Sequence, residues 1–359
     1  MSVSGQDTVA GSGAEALSKH AIDMSWVKGL SVIAVTCFKG GVGKTTFVTA
    51  VALMLARMGK RVLVIDFNSQ GNTAEDFGLP QPVDPETGEE VVDQYGNPVF
   101  GDGGEALANS IMRSEPLRPI QVPGREDLQL DLCPGGHYLK KMKRWIFAVG
   151  EREMPTVLAR SLAPVAQNYD YVLIDSPPED EALIQVVIAA VRWVWIVTRT
   201  DESSLRGFRT VAGIFREVKD EYNPHVEVLG AALTASTMQE GSPDINKIHA
   251  EMAEVLDGAA AVCPHTIPYI EKVARNTRLY GKTVIELEEF AKQDNGGWPD
   301  NEQKSIGRLA AAITRMGRYM VAVITARNAG YPYDAVVKID ERTGQPVMRA
   351  VVPSQGEAR

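Results

Sequence analysis

The chain has 359 residues, of which 44% are hydrophobic and 23% charged, and its formal net charge is −9 at pH 7. That length suits one large α/β domain with additions, or two domains, and the composition is that of a soluble globular protein. The negative balance argues against a basic coat, so any nucleic-acid contact has to come from a local patch. Cys37, Cys133 and Cys263 lie far apart with no paired spacing. This matches neither a disulfide framework nor a metal site and fits a reducing compartment. The first residues lack a basic start followed by an apolar run, so no signal peptide is expected. The longest apolar run, VVIAAVRWVWIVT, is short for a membrane span and is broken by Arg192. The expectation is a cytoplasmic protein.

In chain order, residues 1–28 read as a Gly/Ser-rich flexible tail and residues 29–328 as the main domain. Strands are predicted at SVIAVTCF, RVLVIDF, LQLDLC, YVLID, VWIVT and VEVLGAALT, with helical patterns between most of them, such as TTFVTAVALMLARMG and SLRGFRTVAGIFREVKDEY. Continuous rather than alternating apolar strands predict an α/β fold, a mostly parallel twisted sheet with helices on both faces. Residues 80–105 are dense in Pro, Gly and acid and read as a surface insertion with a small hairpin around YGNP. A long amphipathic helix is predicted over 303–327, and 329–359 as a C-terminal β-hairpin around ERTGQ with a tail.

The sharpest motif is GGVGKTT at 40–46, which follows a strand and opens a helix. Gly40, Gly41 and Gly43, with Val42 between, let backbone amides point inward at a polyphosphate, and the helix N-terminus adds its dipole. Lys44 can reach the β- and γ-phosphates, and Thr45 can ligate Mg²⁺, with Thr46 completing the loop. A second carboxylate should end a neighbouring strand. YDYVLIDSPP supplies Asp175 at the carboxyl end, where open α/β sheets bind ligands.

KGGVGKTT, RVLVIDFNSQGNTAEDFG, YDYVLIDSPP and GKTVIE, taken together, resemble the deviant Walker A ATPases of the ParA/MinD group of P-loop NTPases. Within that group the resemblance is strongest to ParA-type DNA-partition ATPases, over residues 31–325. It implies ATP and Mg²⁺ as ligands, an ATP-driven homodimer, nonspecific DNA binding while ATP-bound, nucleoid association, and a ParB-like centromere-binding partner. It also implies a role for Lys39, which in the family reaches across the dimer to the other subunit's nucleotide. Lys39, Lys44, Asp66 and Asn68 are then the catalytic set. Asn68 departs from the pattern, since the family has a second aspartate there and a proline where this chain has Ser69. An amide orients water but cannot accept its proton, so two expectations stand side by side: slow or absent hydrolysis, or Asn68 as a turn residue with Asp66 or Gln70 carrying the role.

Residues 303–327 contain no acid. At about 100° per residue, Lys304, Arg308, Arg315 and Arg318 fall on one side and Leu309, Ile313, Met316 and Met320 on the other. The stripe is a candidate DNA contact, as is the cluster of Lys272, Arg275 and Arg278; Lys140, Lys141, Lys143 and Arg144 form a further basic cluster. The family often has IPRN near residue 269, where this chain has IPYIEK. Two readings compete with partition. A MinD-like membrane-positioning ATPase needs a free terminal amphipathic helix, and the one here is followed by some thirty further residues. A non-hydrolysing, nucleotide-bound scaffold is favoured by Asn68 alone.

Overall fold

The computed structural model describes residues 23–150, 154–293, 297–333, 335–340 and 346–348. The first half runs β1 (Ser31–Thr36), α1 (Lys44–Arg57), β2 (Val62–Asp66), α2 (Asn72–Asp76), α3 (Glu105–Met112), β3 (Ile120–Gln121), β4 (Leu130–Cys133), α4 (Leu139–Val149), α5 (Val157–Ala166) and β5 (Tyr171–Asp175). Then come α6 (Glu181–Ala189), β6 (Trp193–Thr198), α7 (Glu202–Glu221), β7 (Glu227–Ser236), α8 (Pro243–Leu256), β8 (Ala261–Pro268), α9 (Glu271–Tyr280), α10 (Val284–Gln293) and α11 (Asp300–Asn328). A small hairpin of β9 (Val336–Ile339) and β10 (Pro346–Met348) follows.

Eight strands form one sheet in the order β3-β4-β2-β5-β1-β6-β7-β8, parallel throughout except for the β3–β4 edge pair. Because successive side chains alternate, each inner strand feeds two cores. Val32, Ala34, Leu63 and Ile65 face one core, packed by α3 to α8. Ile33, Val35, Val62 and Val64 face the other, packed by α1, α10 and α11. This is why the strands read as unbroken apolar runs. Helix α1 is buried on nearly all sides for the same reason: 13 of its 14 residues are buried, between the sheet and α11. Gly317 permits that approach, since a Cβ there would stand 2.8 Å from Val51 Cγ2.

Leu309, Ile313, Met316 and Met320 of α11 are buried in the core. The helix is long and apolar enough to cross a membrane by length and composition alone, but 67% of its most apolar window is buried inside the protein. Residues 24–28, expected to belong to the tail, instead form the 3-10 helix Met24–Gly29. Asp23 Oδ1 accepts from Ser25 N–H at 2.8 Å, and Met24 and Val27 enter the core. Two strands were not anticipated, β3 with only two residues and β8, whose AVCPHTIP carries prolines. In the insertion, antiparallel bridges join Val83 to Glu90 and Val92 to Pro98, the second closing around YGNP. Residues 1–22 and ERTGQ at 341–345 lie outside the described residues.

Candidate functional site

Three strand ends meet at one point. In register, Asp175 at the end of β5 stands beside Val35 of β1 on one side and Asp66 of β2 on the other. The loop leaving β1 wraps over them into α1, with Gly41 and Gly43 at φ of 70° and 77°. That left-handed backbone is the reason for glycine at both positions, and open space surrounds each where a side chain would be.

Lys44 Nζ lies 2.6 Å from Asp175 Oδ1, and Thr45 Oγ1 donates to Asp175 Oδ2 at 2.6 Å. Both ends of the ion pair are buried, at 6% and 0% exposure. Burial works against the charge of Lys44, but Asp175 outweighs it and the amine is held protonated. Asp66 is also buried; its carboxylate accepts from Thr73 N–H and Oγ1 and from Asn68 N–H. Burial, then the charge of Asp175, pushes Asp66 up to about 7 against those hydrogen bonds. Two neighbouring carboxylates therefore differ in character. Asp175 has an amine beside it, whereas Asp66 has only hydroxyl and amide donors.

Asn68 lines the cavity above them. Its Oδ1 accepts from Gln70 N–H at 3.1 Å, and its backbone carbonyl accepts from Gly71 and Gly136. The side chain thus shapes a turn through its oxygen, and among the described residues its Nδ2 makes no hydrogen bond. Gly135 is required beneath it, since a Cβ there would fall 2.5 Å from Asn68 O.

Lys39 is placed differently. Its Nζ reaches Asp201 Oδ1 at 2.9 Å and Ser203 Oγ at 2.7 Å, at the N-terminus of α7 in the same chain. The pair is 38% and 39% exposed. Partial burial acts to raise the Asp201 carboxyl, but hydrogen bonds from Ser203, Lys39 and Ser204 hold it well below the usual carboxylate range.

The cavity is about 470 Å³ and is lined by residues 39–46, Asn68, Gln70, Asn72 and Glu179 on the loop side, facing Pro268, Tyr269, Ala274, Arg278 and Ile313. Such a size suits one nucleotide-sized ligand. Cys37 lines it too, but burial pushes its thiol up to about 11, so it is inert at neutral pH. No group of three or more His, Cys, Asp or Glu suited to a metal occurs among the described residues. A hard cation held by one hydroxyl, one carboxylate and a ligand's phosphates needs none.

Of the proposed DNA residues, Lys304, Arg308, Arg318, Lys272, Arg275 and Arg278 are exposed. Arg315 is half-buried, 3.9 Å from Glu240, and Lys272 is paired with Glu302. Arg278 lines the cavity as well. Sequence reasoning missed Asp201, Ser203, Thr73 and Glu179. The first three look like ordinary capping and turn residues. Glu179 occupies a left-handed backbone at φ 55° and accepts from Gly40 N–H at 3.5 Å, which no local pattern signals.

A family model described as an AAA domain matches residues 30–228. The chromosome-partitioning ATPase Soj of Thermus thermophilus is 30% identical over 56% of this chain and 68% of its own length. The sporulation initiation inhibitor protein Soj of Bacillus subtilis is 29% identical over 56% and 72%. An uncharacterised protein of Mycobacterium tuberculosis is 30% identical, the match spanning 57% of its length. Among solved structures, apo McdA of Cyanothece superposes with a TM-score of 0.57 at 18% identity, over 80% of this chain and 99% of its own. The pnob8 ParA structure does so at 0.57 and 19%, over 83% and 99%. At those identities the likeness is one of fold. The domain match, the Soj relatives and the fold they share make the chain a member of the ParA-type family of P-loop ATPases.

Proposed function

We propose that this chain is a partition ATPase: it binds ATP and Mg²⁺, dimerises on ATP, holds DNA nonspecifically as a dimer, and moves a DNA cargo with a ParB-like partner. The observation that carries the reading is Lys39. It is a second lysine in a loop that already has Lys44, and among the described residues its amine is tied to its own chain by partly exposed contacts to Asp201 and Ser203. The Thermus Soj relative, named a chromosome-partitioning ATPase, supports it. Thr45 and Asp175 would hold Mg²⁺, which neutralises charge on the phosphoryl oxygens. The residues present fit: two oxygen donors stand together at the mouth of the loop, and Lys44 stands beside them.

Each residue then has a defined task. The loop amides and Lys44 bind and orient the phosphates. Asp66 braces the Asn68 turn through the Asn68 amide and Thr73. Asn68 presents a donor to the cavity, which positions an oxygen without taking a proton. Exposed Lys304, Arg308 and Arg318, doubled in a dimer, supply phosphate contacts that fall off with salt. Association with the nucleoid inside the cytoplasm follows from those contacts. With the apolar side of α11 buried, stable membrane association is not part of the proposal.

The test is gel filtration and DNA retention with ADP, ATP and a slowly hydrolysed analogue. Dimer and salt-sensitive DNA binding with the triphosphates alone is the expected result; a monomer in all three states overturns the proposal. A second reading, a nucleotide-bound scaffold without turnover, is favoured by Asn68 specifically. Steady-state hydrolysis decides between them. Asn68→Asp should raise turnover at least about tenfold if the amide limits the rate, since a positioned base contributes that much or more. Equal, measurable rates in both proteins would retire the idea that Asn68 slows the reaction.

A further inference from the structure

Three cations line the cavity: Lys39, Lys44 and Arg278. Lys44 is matched by Asp175 at 2.6 Å, and Lys39 by Asp201 at 2.9 Å. Arg278 stands on the opposite wall, on the face of α9 that also presents Glu271 and Ala274 to the cavity. Its side chain is 43% exposed, and its charged neighbours are Asp76, with Nε 3.9 Å from Oδ1, and Glu75, whose carboxyl feels its charge. The Asp76 approach is an electrostatic contact, too long for a hydrogen bond. Asp76 itself is 1% exposed and already accepts from Thr277 Oγ1 at 3.2 Å and Thr49 Oγ1 at 3.3 Å. Among the described residues, no N–H of the Arg278 side chain makes a hydrogen bond.

The helix bearing Arg278 is closely packed at its C-terminal end. Gly281, at its C-cap, meets Gly78 so closely that a Cβ on Gly281 would lie 2.6 Å from Gly78 Cα. Both residues have positive φ, so the contact depends on glycine at each. A guanidinium held over a cavity with acidic neighbours that do not hydrogen-bond it offers a planar fork of free donors to the oxygens of a phosphoryl group.

We infer that Arg278 is a phosphate-binding residue of this cavity, turning from Asp76 to make a forked contact with the phosphoryl oxygens of a bound nucleoside polyphosphate. The inference rests on the cavity being a nucleotide site, and it reassigns Arg278 from the DNA cluster to which the sequence pattern would give it. Asp76 is its resting partner. The buried aspartate keeps the guanidinium aimed at the cavity but, through one long contact, does not hold it there.

The experiment is equilibrium binding of ATP, ADP and AMP, each with Mg²⁺, to the full chain and to Arg278→Ala, Arg278→Lys and Asp76→Asn. Arg278→Ala should weaken ATP by about 10- to 100-fold and AMP by much less, because a charge-assisted forked pair is lost. Arg278→Lys should recover part of the affinity, keeping the charge without the fork. It also reads the question should Arg278→Ala not fold. Asp76→Asn should bind ATP at least as well as wild type. ATP affinity within twofold of wild type for Arg278→Ala, or equal losses for all three nucleotides, overturns the inference. So does a fall in DNA retention at saturating ATP with nucleotide affinity unchanged, which would return Arg278 to the DNA surface. A wild-type chain that binds none of the nucleotides contradicts the nucleotide-site reading itself, and the inference falls with it.

Discussion

The two lysines at either end of the phosphate loop make opposite kinds of ion pair. Lys44 and Asp175 are buried and 2.6 Å apart, walled in by β1, β2 and β5. Lys39 and Asp201 are 2.9 Å apart and more than a third exposed. In the first pair neither charge has water to turn to, so each depends on the other. In the second, water competes for both partners and the pair is worth little on its own. The difference separates a fixed part of the site from one that can exchange. The Lys44 pair is closed to water, whereas the Lys39 pair is open to it, as the proposed transfer of Lys39 to another anion requires.

The comparison breaks first at Asp175. Asp175→Ala leaves the Lys44 charge buried and alone, and should cost about 3–5 kcal/mol in urea unfolding. A loss below about 1 kcal/mol would mean that water reaches Lys44 and that the two pairs do not differ in kind. A smaller effect comes from Asp66, whose carboxyl is pushed up to about 7 from 3.8. Below pH 4 it is protonated whether folded or not. As pH rises toward 7 the unfolded chain ionises freely while the folded one resists, so this contribution to stability is lost across that window. Asp66→Asn should therefore flatten the decline in stability between pH 4 and 7 by at least about 1 kcal/mol. Asp76, likewise pushed up to about 7 by burial, leaves a residual slope. An unaltered slope in Asp66→Asn would show the group to be ionised in the fold. The smallest effect is expected at Asp201→Asn, which keeps an acceptor for the α7 cap but removes the charge. Its stability should stay within about 0.5 kcal/mol of wild type, while dimerisation with triphosphate tightens because Lys39 is released. Weaker dimerisation in that variant would make Asp201 a partner in the dimer rather than a restraint.

What could be read from the sequence follows how far apart the cooperating residues lie. The loop from Gly40 to Thr46 was legible because strand, turn and helix signals are contiguous, and Asp175 because it ends an apolar strand. Their meeting was legible too, since parallel strands bring carboxyl ends to one edge. The resting place of Lys39 was not. Asp201 and Ser203 lie more than 160 residues away and have the appearance of an ordinary helix start. The direction of Arg278 was hidden as well. Spacing along α9 groups it with Lys272 and Arg275, and the Gly78–Gly281 contact at the end of α9 joins two glycines remote in sequence. Strand β8 escaped because Pro264 and Pro268 interrupt it at the sheet's edge, where prolines are tolerated.

Sedimentation velocity of wild type and Lys39→Ala, each saturated with a slowly hydrolysed ATP analogue, bears most directly on the central claim. The account predicts a wild-type dimer and a variant that stays monomeric while binding the analogue within about threefold of wild type, because Lys44 and the loop amides remain. A variant that dimerises as readily as wild type would contradict it, leaving Lys39 a surface lysine that caps its own helix.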